Sequence, residues 1–247
     1  MLGEQGLRRR SSEPELMDDF TFGGEPLREA LRHLHRLNRL FGASGPIVYG
    51  INQLWRSAGK PAALTVLDVG SGSGDINRAV LKWADRRGVN LNVILTDLTE
   101  EAGREAEHLF RYERRVTFVR QDLFELKDGA ADIVTASQFA HHFPSERLPE
   151  VVGKMRKAAR IGVVLGDIHR HWLPWAAVWL ATRLLSRNRY IRHDGPLSVA
   201  KGFRGSDFRE LAEQIDRPEL SYRWRPLFRY SVIVPQFRED ESHENGI

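Results

Sequence analysis

The sequence predicts an α/β fold, a doubly wound and mostly parallel sheet. Three observations predict it: short apolar runs of strand length recur through the middle of the chain, helical stretches separate them, and the first run ends in a cluster of glycines. Strands that alternate with helices are joined by crossovers, which pair them in parallel and put helices on both faces of the sheet.

The 247 residues, 41% of them hydrophobic, suffice for one domain with a full core and appendages, and make a second independent domain unlikely to fit. Residues 1–25 mix charge, Ser, Gly and Pro, and read as a flexible N-terminal arm that can fold back onto the domain, which spans residues 26–235. Leu27, Leu31, Leu34, Leu37 and Leu40 with Phe41 recur at helical spacing before the stop at Gly42, and a second helix covers Pro46–Ala58. Residues 26–60 are thus expected to be cap helices.

The strands are expected at Leu64–Val69, Leu91–Thr96, Val116–Arg120, Asp132–Ala136 and Ile161–Gly166, with helices at Asp75–Arg87 and Glu100–Phe110. After the fifth strand comes an apolar helical stretch, Trp172–Leu185, too short to span a bilayer. A turn is expected at Asp194-Gly195-Pro196, then a helix at Ser206–Ile215, and two last strands, Leu220–Trp224 and Phe228–Val234, bring the sheet to seven. Residues 168–200 are expected to form a helical lid insertion over a substrate, and residues 236–247 a flexible tail.

Composition excludes several classes. Cysteine is absent, which removes disulfides, thiolate zinc sites and cysteine nucleophiles and suits a reducing, cytoplasmic compartment. Arg8, Arg9 and Arg10 precede no apolar signal core. A net charge of +4, with cations scattered along the chain, argues against a nucleic-acid platform.

Ligands of open α/β sheets bind beyond the carboxyl ends of the strands. The first strand ends in Asp68-Val-Gly70-Ser71-Gly72-Ser73-Gly74, where glycines let the backbone turn tightly and approach a ligand. The dinucleotide fingerprint G-x-G-x-x-G would need glycine where this chain has Asp75, which disfavours a nicotinamide cofactor. Asp68 instead suits a ligand with an ammonium group. Asp97, ending the second strand, can accept from both hydroxyls of a ribose; Asp122, ending the third, can meet an exocyclic amine beside Leu123 and Phe124. Each acid alone could be a helix cap, but caps poorly explain three at successive strand ends.

Leu67–Gly74, Asp97, Asp122-Leu123 and Asp132-Ile-Val134 resemble the class I S-adenosylmethionine (SAM) dependent methyltransferases over residues 62–167. The resemblance implies a Rossmann-like seven-stranded sheet and SAM as cofactor. Asp68, Gly70, Ser71, Gly72 and Gly74 would hold its methionyl part, Asp97 and Leu98 the ribose, and Asp122 and Leu123 the adenine, with Ser137 nearby. Glu15-Leu-Met-Asp-Asp19, Leu37-Asn-Arg-Leu-Phe-Gly42 and Arg192-His-Asp-Gly-Pro-Leu-Ser198 are further similar to the small-molecule branch related to ubiquinone and menaquinone methyltransferases, some of whose members serve polyketide secondary metabolism. This implies methylation of a phenolic, quinone-like or polyketide-derived hydroxyl or carbon, with Asn38 and Arg39 near the pocket.

For a phenolic acceptor a base would help. His141 and His142 follow the fourth strand; resemblance favours His142 over His141, while the alternative makes one a buried structural residue and leaves the other exposed. Asp167, His169 and His171 could be imagined as a metal site, but sulfonium chemistry needs no metal and none is expected; His169 and His193 are read as substrate-facing. Trp172 and Trp175 would wall an apolar acceptor pocket, or else belong to a helix simply packed on the core. Arg183, Arg187, Arg189 and Arg192 form either a solvated face or an attraction to an acidic lipid surface or anionic acceptor.

The expected partners are therefore a small-molecule acceptor, no nucleic acid and no integral membrane segment, with weak surface association allowed, in a monomer or homodimer. Two other readings compete: a non-catalytic protein that binds SAM or a nucleoside, and a methyltransferase of macromolecules. Against the second, Ser137-Gln-Phe-Ala-His-His lacks the Asn/Asp-Pro-Pro-aromatic sequence associated with methylation of base amino groups.

Overall fold

The computed structural model describes residues 7–18 and 24–236. Asp19 and the tail beyond Gln236 lie outside the described residues. Helices α1 (Glu25–Leu40) and α2 (Ser44–Ser57) precede β1 (Ala63–Val69), α3 (Asn77–Arg87), β2 (Asn90–Asp97), α4 (Glu100–Phe110) and β3 (Val116–Arg120). Then follow β4 (Ala131–Ser137), α5 (Leu148–Ala158), β5 (Ala159–Ile168), α6 (Trp172–Leu185), α7 (Arg189–Lys201), α8 (Gly205–Gln214), β6 (Ser221–Arg225) and β7 (Arg229–Pro235).

The seven strands lie in the order β3-β2-β1-β4-β5-β7-β6, with β7 antiparallel to both neighbours. The order reverses beside β1, so a crevice opens between the carboxyl ends of β1 and β4, as this architecture requires. Both faces of the sheet are covered. On one, Ile47, Ile51 and Leu54 of α2 and Val80 of α3 pack with Leu91, Leu95 and Ile133. On the other, Val151, Val152 and Met155 of α5 and Phe208 of α8 pack with Val134, Val163 and Val232. Burial on both faces is why the central strands read as unbroken apolar runs.

One local expectation is corrected. Asp194, Gly195 and Pro196 form no turn; they lie inside α7. Asn188 caps that helix by accepting from the Tyr190 N–H. A Cβ on Gly195 would stand 2.7 Å from the Thr182 methyl, so glycine is what lets α6 and α7 approach. The buried Asp194 carboxylate accepts the N–H groups of Leu16 and Met17. Tertiary packing here overrides the turn-forming tendency of an Asp-Gly-Pro triplet.

Residues 7–18 pack along α7. Leu7 and Glu15 are buried, and the Arg10 guanidinium donates to the carbonyls of Lys201, His141 and Phe143. This segment ends in a short 3-10 turn, Leu16–Asp18, beside the loop after β4.

Candidate active site

A cavity of about 540 Å³ opens at the carboxyl ends of β1, β2 and β4. Its volume lies within the usual range for small-molecule sites. One side is the glycine turn. Gly70, Gly72 and Gly74 all have positive φ, which other residues rarely adopt. A Cβ would stand 2.1 Å from the Phe139 ring at Gly70 and 2.4 Å from Leu95 at Gly74; at Gly72 it would meet only Leu31, at 3.6 Å. The outer glycines therefore serve packing, and Gly72 leaves backbone bare toward the cavity.

Asp97 is both lining and scaffold. It accepts from the Gly72 N–H at 2.9 Å with one oxygen, and from the Thr99 N–H and hydroxyl at 3.0 Å with the other. Asp122 accepts from the Phe124 N–H at 2.8 Å. Asp68, read as the partner of an ammonium, is almost fully buried, and its oxygens accept from Asn77 at 2.6 Å and Thr135 at 2.8 Å. Burial, then the nearby Asp75 and Asp97 charges, push its pKa up to about 6 against those two bonds. Asp68 thus ties β1 to α3 and β4.

Asp75 is the acid that faces the cavity with less support. Its pKa is raised, chiefly by burial, against His35 and a 3.2 Å bond from Asn38. Asn38 accepts in turn from Gln138 at 2.6 Å, and Gln138, held at φ 53, accepts from Arg229 at 2.7 Å. Arg229 is fully buried on β7, and burial lowers its pKa to about 10 despite the Asp167 charge. A chain of side chains thereby runs from β7 to the glycine turn.

The opposite side carries His142, with Met17, Leu27, Leu31, Leu34, Phe139 and Phe143. His142 Nδ1 lies 2.8 Å from Asp18 Oδ1, close in charge contact but without the alignment of a hydrogen bond. Burial pulls the His142 pKa down, yet Asp18 and Glu15 outweigh it and the net shift is upward. Burial likewise pushes Asp18 up, and His142 and Lys201 bring it below its ordinary value.

Of the residues singled out from sequence, Asp68, Gly70, Ser71, Gly72, Asp97, Leu98, Asp122, Leu123, Ser137 and His142 line this one cavity. Gly74 supports the turn from behind. His141 does not line it: buried, it bonds Asp167 at 2.7 Å and stacks on His142 at 4.4 Å. Burial would raise Asp167, but His141 and the Ile168 N–H hold it below the usual carboxylate value. His169 also lies off the cavity wall, among His171, Phe228 and Tyr230.

Trp172, Trp175, His193 and Arg39 are equally absent from the wall, and so is every residue of 168–200. His171 caps α6 through the Leu173 N–H, and α6 packs chiefly on α7, which in turn meets α1 and the 3-10 turn at Leu16–Asp18. Met17, Asp18 and α1 supply that part of the wall. Sequence reasoning missed Asp75, Asp18, Gln138 and Arg229 as site residues. Asp75 carried a signal as the residue that breaks the dinucleotide glycine pattern, and Asp18 and Gln138 stand inside the Glu15–Asp19 and Ser137–His142 segments without being singled out there.

Residues 66–162 match the family model described as a methyltransferase domain. The sheet order and the cavity at the β1 carboxyl end belong to the same architecture. Over residues 66–162 the chain carries a methyltransferase domain, on the class I fold.

Among solved structures, it resembles a SAM-dependent methyltransferase from Aquifex aeolicus, at 14% identity and TM-score 0.53, over 87% of this chain and all of that one. It also resembles the CMeT domain of the citrinin polyketide synthase (13%, TM-score 0.52, 70% of this chain) and the CurJ carbon methyltransferase (13%, TM-score 0.52, 72% of this chain). The methyltransferase-domain chain spans 46% and 50% of those two. No curated protein matches it.

SAM is the cofactor of such a domain, and the residues present fit it. Asp18, Asp68, Asp75, Asp97 and Asp122 outnumber Arg147 and His142 among the ionisable lining groups, which favours a cationic sulfonium and ammonium over a pyrophosphate. The bare face of Gly72 admits close approach, and Leu98, Leu123 and Phe124 offer apolar surface to a base. Among the described residues no helix is long and apolar enough to cross a membrane.

Proposed function

We propose that this chain transfers the methyl group of SAM to a small apolar or aromatic acceptor, a phenolic, quinone-like or polyketide-derived hydroxyl or carbon. The observation that carries the reading is His142 on the cavity wall among apolar side chains, across from the glycine turn. SAM, when bound, supplies a methyl already activated on sulfonium. The chain's own residues orient the partners and exclude water. Alignment of this kind supplies about 7–11 kcal/mol in favourable cases.

Leu27, Leu31, Leu34, Met17 and Phe143 give the acceptor an apolar seat. His142 takes the proton from an acceptor hydroxyl through its free ring nitrogen as the oxygen becomes nucleophilic. Asp18 fixes the ring and stabilises the imidazolium that results. A positioned histidine of this kind contributes about 10²- to 10⁴-fold. The absence of cysteine and the small net charge support a cytoplasmic protein with no nucleic-acid partner.

The test is label transfer from methyl-labelled SAM to a panel of phenols, quinols and β-diketones. Methylated product is expected from at least one aromatic acceptor. SAM binding without label on any acceptor, including an extract of the source cells, would turn the reading into that of a binding protein.

A further inference from the structure

Helix α6 is apolar around most of its circumference, yet among the other elements it packs chiefly on α7. At 100° per residue, Trp172, Trp179, Leu180, Arg183 and Leu184 fall on one side. Leu180 and Leu184 are 52% and 74% exposed, and Trp172 and Trp179 are exposed beside them.

A second element continues this surface. In the turn between β6 and β7, Leu227 and Phe228 adopt φ of 62° and 55°, a left-handed conformation unusual for bulky residues and ordinarily left to Gly or Asn in hairpins. Leu227 and the neighbouring Trp224 are half exposed. The Trp224 ring touches Phe228 edge-on at 6.1 Å, Phe228 stacks on His171 at 5.9 Å, and His171 lies 5.8 Å from Trp172. The turn and the start of α6 are one apolar surface, of a kind that marks an interaction site.

The two segments that form it carry charge of one sign. The sequence has no acidic residue between Asp167 and Asp194, nor between Glu219 and Glu239. Arg183 lies over the Trp179 ring at 4.0 Å, and Arg187, just beyond α6, is exposed. We propose that this surface docks on an anionic lipid bilayer, its tryptophans and leucines entering the headgroup boundary while the arginines meet phosphates. A two-fold dimer through the same face would set arginines against arginines with no acids to pair, so a second copy is the poorer occupant.

The test is co-sedimentation of the full chain with vesicles of phosphatidylcholine alone and of phosphatidylcholine with phosphatidylglycerol. Binding to the anionic vesicles is expected to be at least roughly tenfold tighter and to weaken as salt screens the charges. The double substitution Leu180→Glu, Leu184→Glu should reduce it at least roughly tenfold with unchanged SAM binding and unfolding midpoint, since both side chains face solvent. Tyr112→Glu, on an exposed residue elsewhere, should change nothing.

Equal binding to both vesicles, no binding to either, or binding indifferent to the double substitution would overturn the proposal. So would a dimer in light scattering that the double substitution dissolves. None of these readouts needs turnover, so they stand apart from the identity of the methyl acceptor.

Discussion

On the glycine-turn side of the cavity, side chains are placed by the backbone of neighbouring parallel strands: β1 and β2 run in register up to Val69 and Thr96, and β2 and β3 up to Asp97 and Arg120. On the His142 side the wall comes from three segments distant in sequence: residues 17–18, α1, and the loop after β4. These are joined by Arg10, by the Asp194 bonds to Leu16 and Met17, and by charge contacts of Asp18 with His142 and of Glu15 with Lys201. The first side is fixed by sheet geometry and buried packing. The second is assembled by charge contacts between separate segments, so their docking responds to pH. Substitutions on the two sides should separate binding of cofactor from use of acceptor.

The largest effect is expected at His142. His142→Gln should lower kcat by about 10²- to 10⁴-fold while the SAM dissociation constant measured by calorimetry stays within about twofold. An equal loss of SAM affinity would erase the division between the two sides. Next comes Gly74→Ala, which forces an L-residue to φ 72 and drives a methyl against the buried Leu95. Denaturant titration should show a loss of about 2–4 kcal/mol in stability, with the His142 side harmed only through unfolding.

Asp97→Ala removes the acceptor of three hydrogen bonds that shape the Gly72–Thr99 region. It should weaken SAM binding by about 10- to 100-fold and leave the acid limb of the rate profile in place.

Asp18→Asn is the mildest change and the sharpest discriminator. Asp18 raises the His142 pKa, and the base must be neutral to accept a proton, so kcat of the parent should rise with pH through a value above the ordinary histidine range. The substitution should move that limb to lower pH, with SAM affinity unchanged. The same pair links residues 7–18 to the domain. The His142 share of this stability is complete below its unfolded pKa and is lost as pH rises through the raised folded value; the Asp18 share holds above its unfolded pKa and is lost as pH falls through the lowered one. Limited proteolysis near residue 18 should therefore be slowest between the two. A flat profile would mean the contact holds nothing.

The contrast also explains what could be read early. Asp97 and Asp122 were legible because a strand's last residue is found from the pattern of its apolar run, and strand ends in this architecture converge on the ligand. Asp68 was legible as a site residue but not in its contacts, since its bonds to Asn77 and Thr135 depend on how α3 and β4 pack. Asp18 stood in a segment that resemblance marked, but its role, like that of Arg229, was not legible, because the groups they meet lie on other elements. Trp172 and Trp175 misled as pocket residues for a related reason: an apolar stretch announces that a helix needs a partner surface and does not say which.

By itself the sequence determined the order of the seven strands, the glycine turn and the acids at the strand ends, because periodicity, backbone freedom and strand termination are local properties of the chain. Tertiary structure alone decided that Met17 and Asp18 join α1 in the cavity wall, that His141 is buried against Asp167, and that Asp194–Pro196 continue a helix. Those outcomes rest on packing and charge pairing between segments far apart in the chain, and no local pattern encodes such contacts.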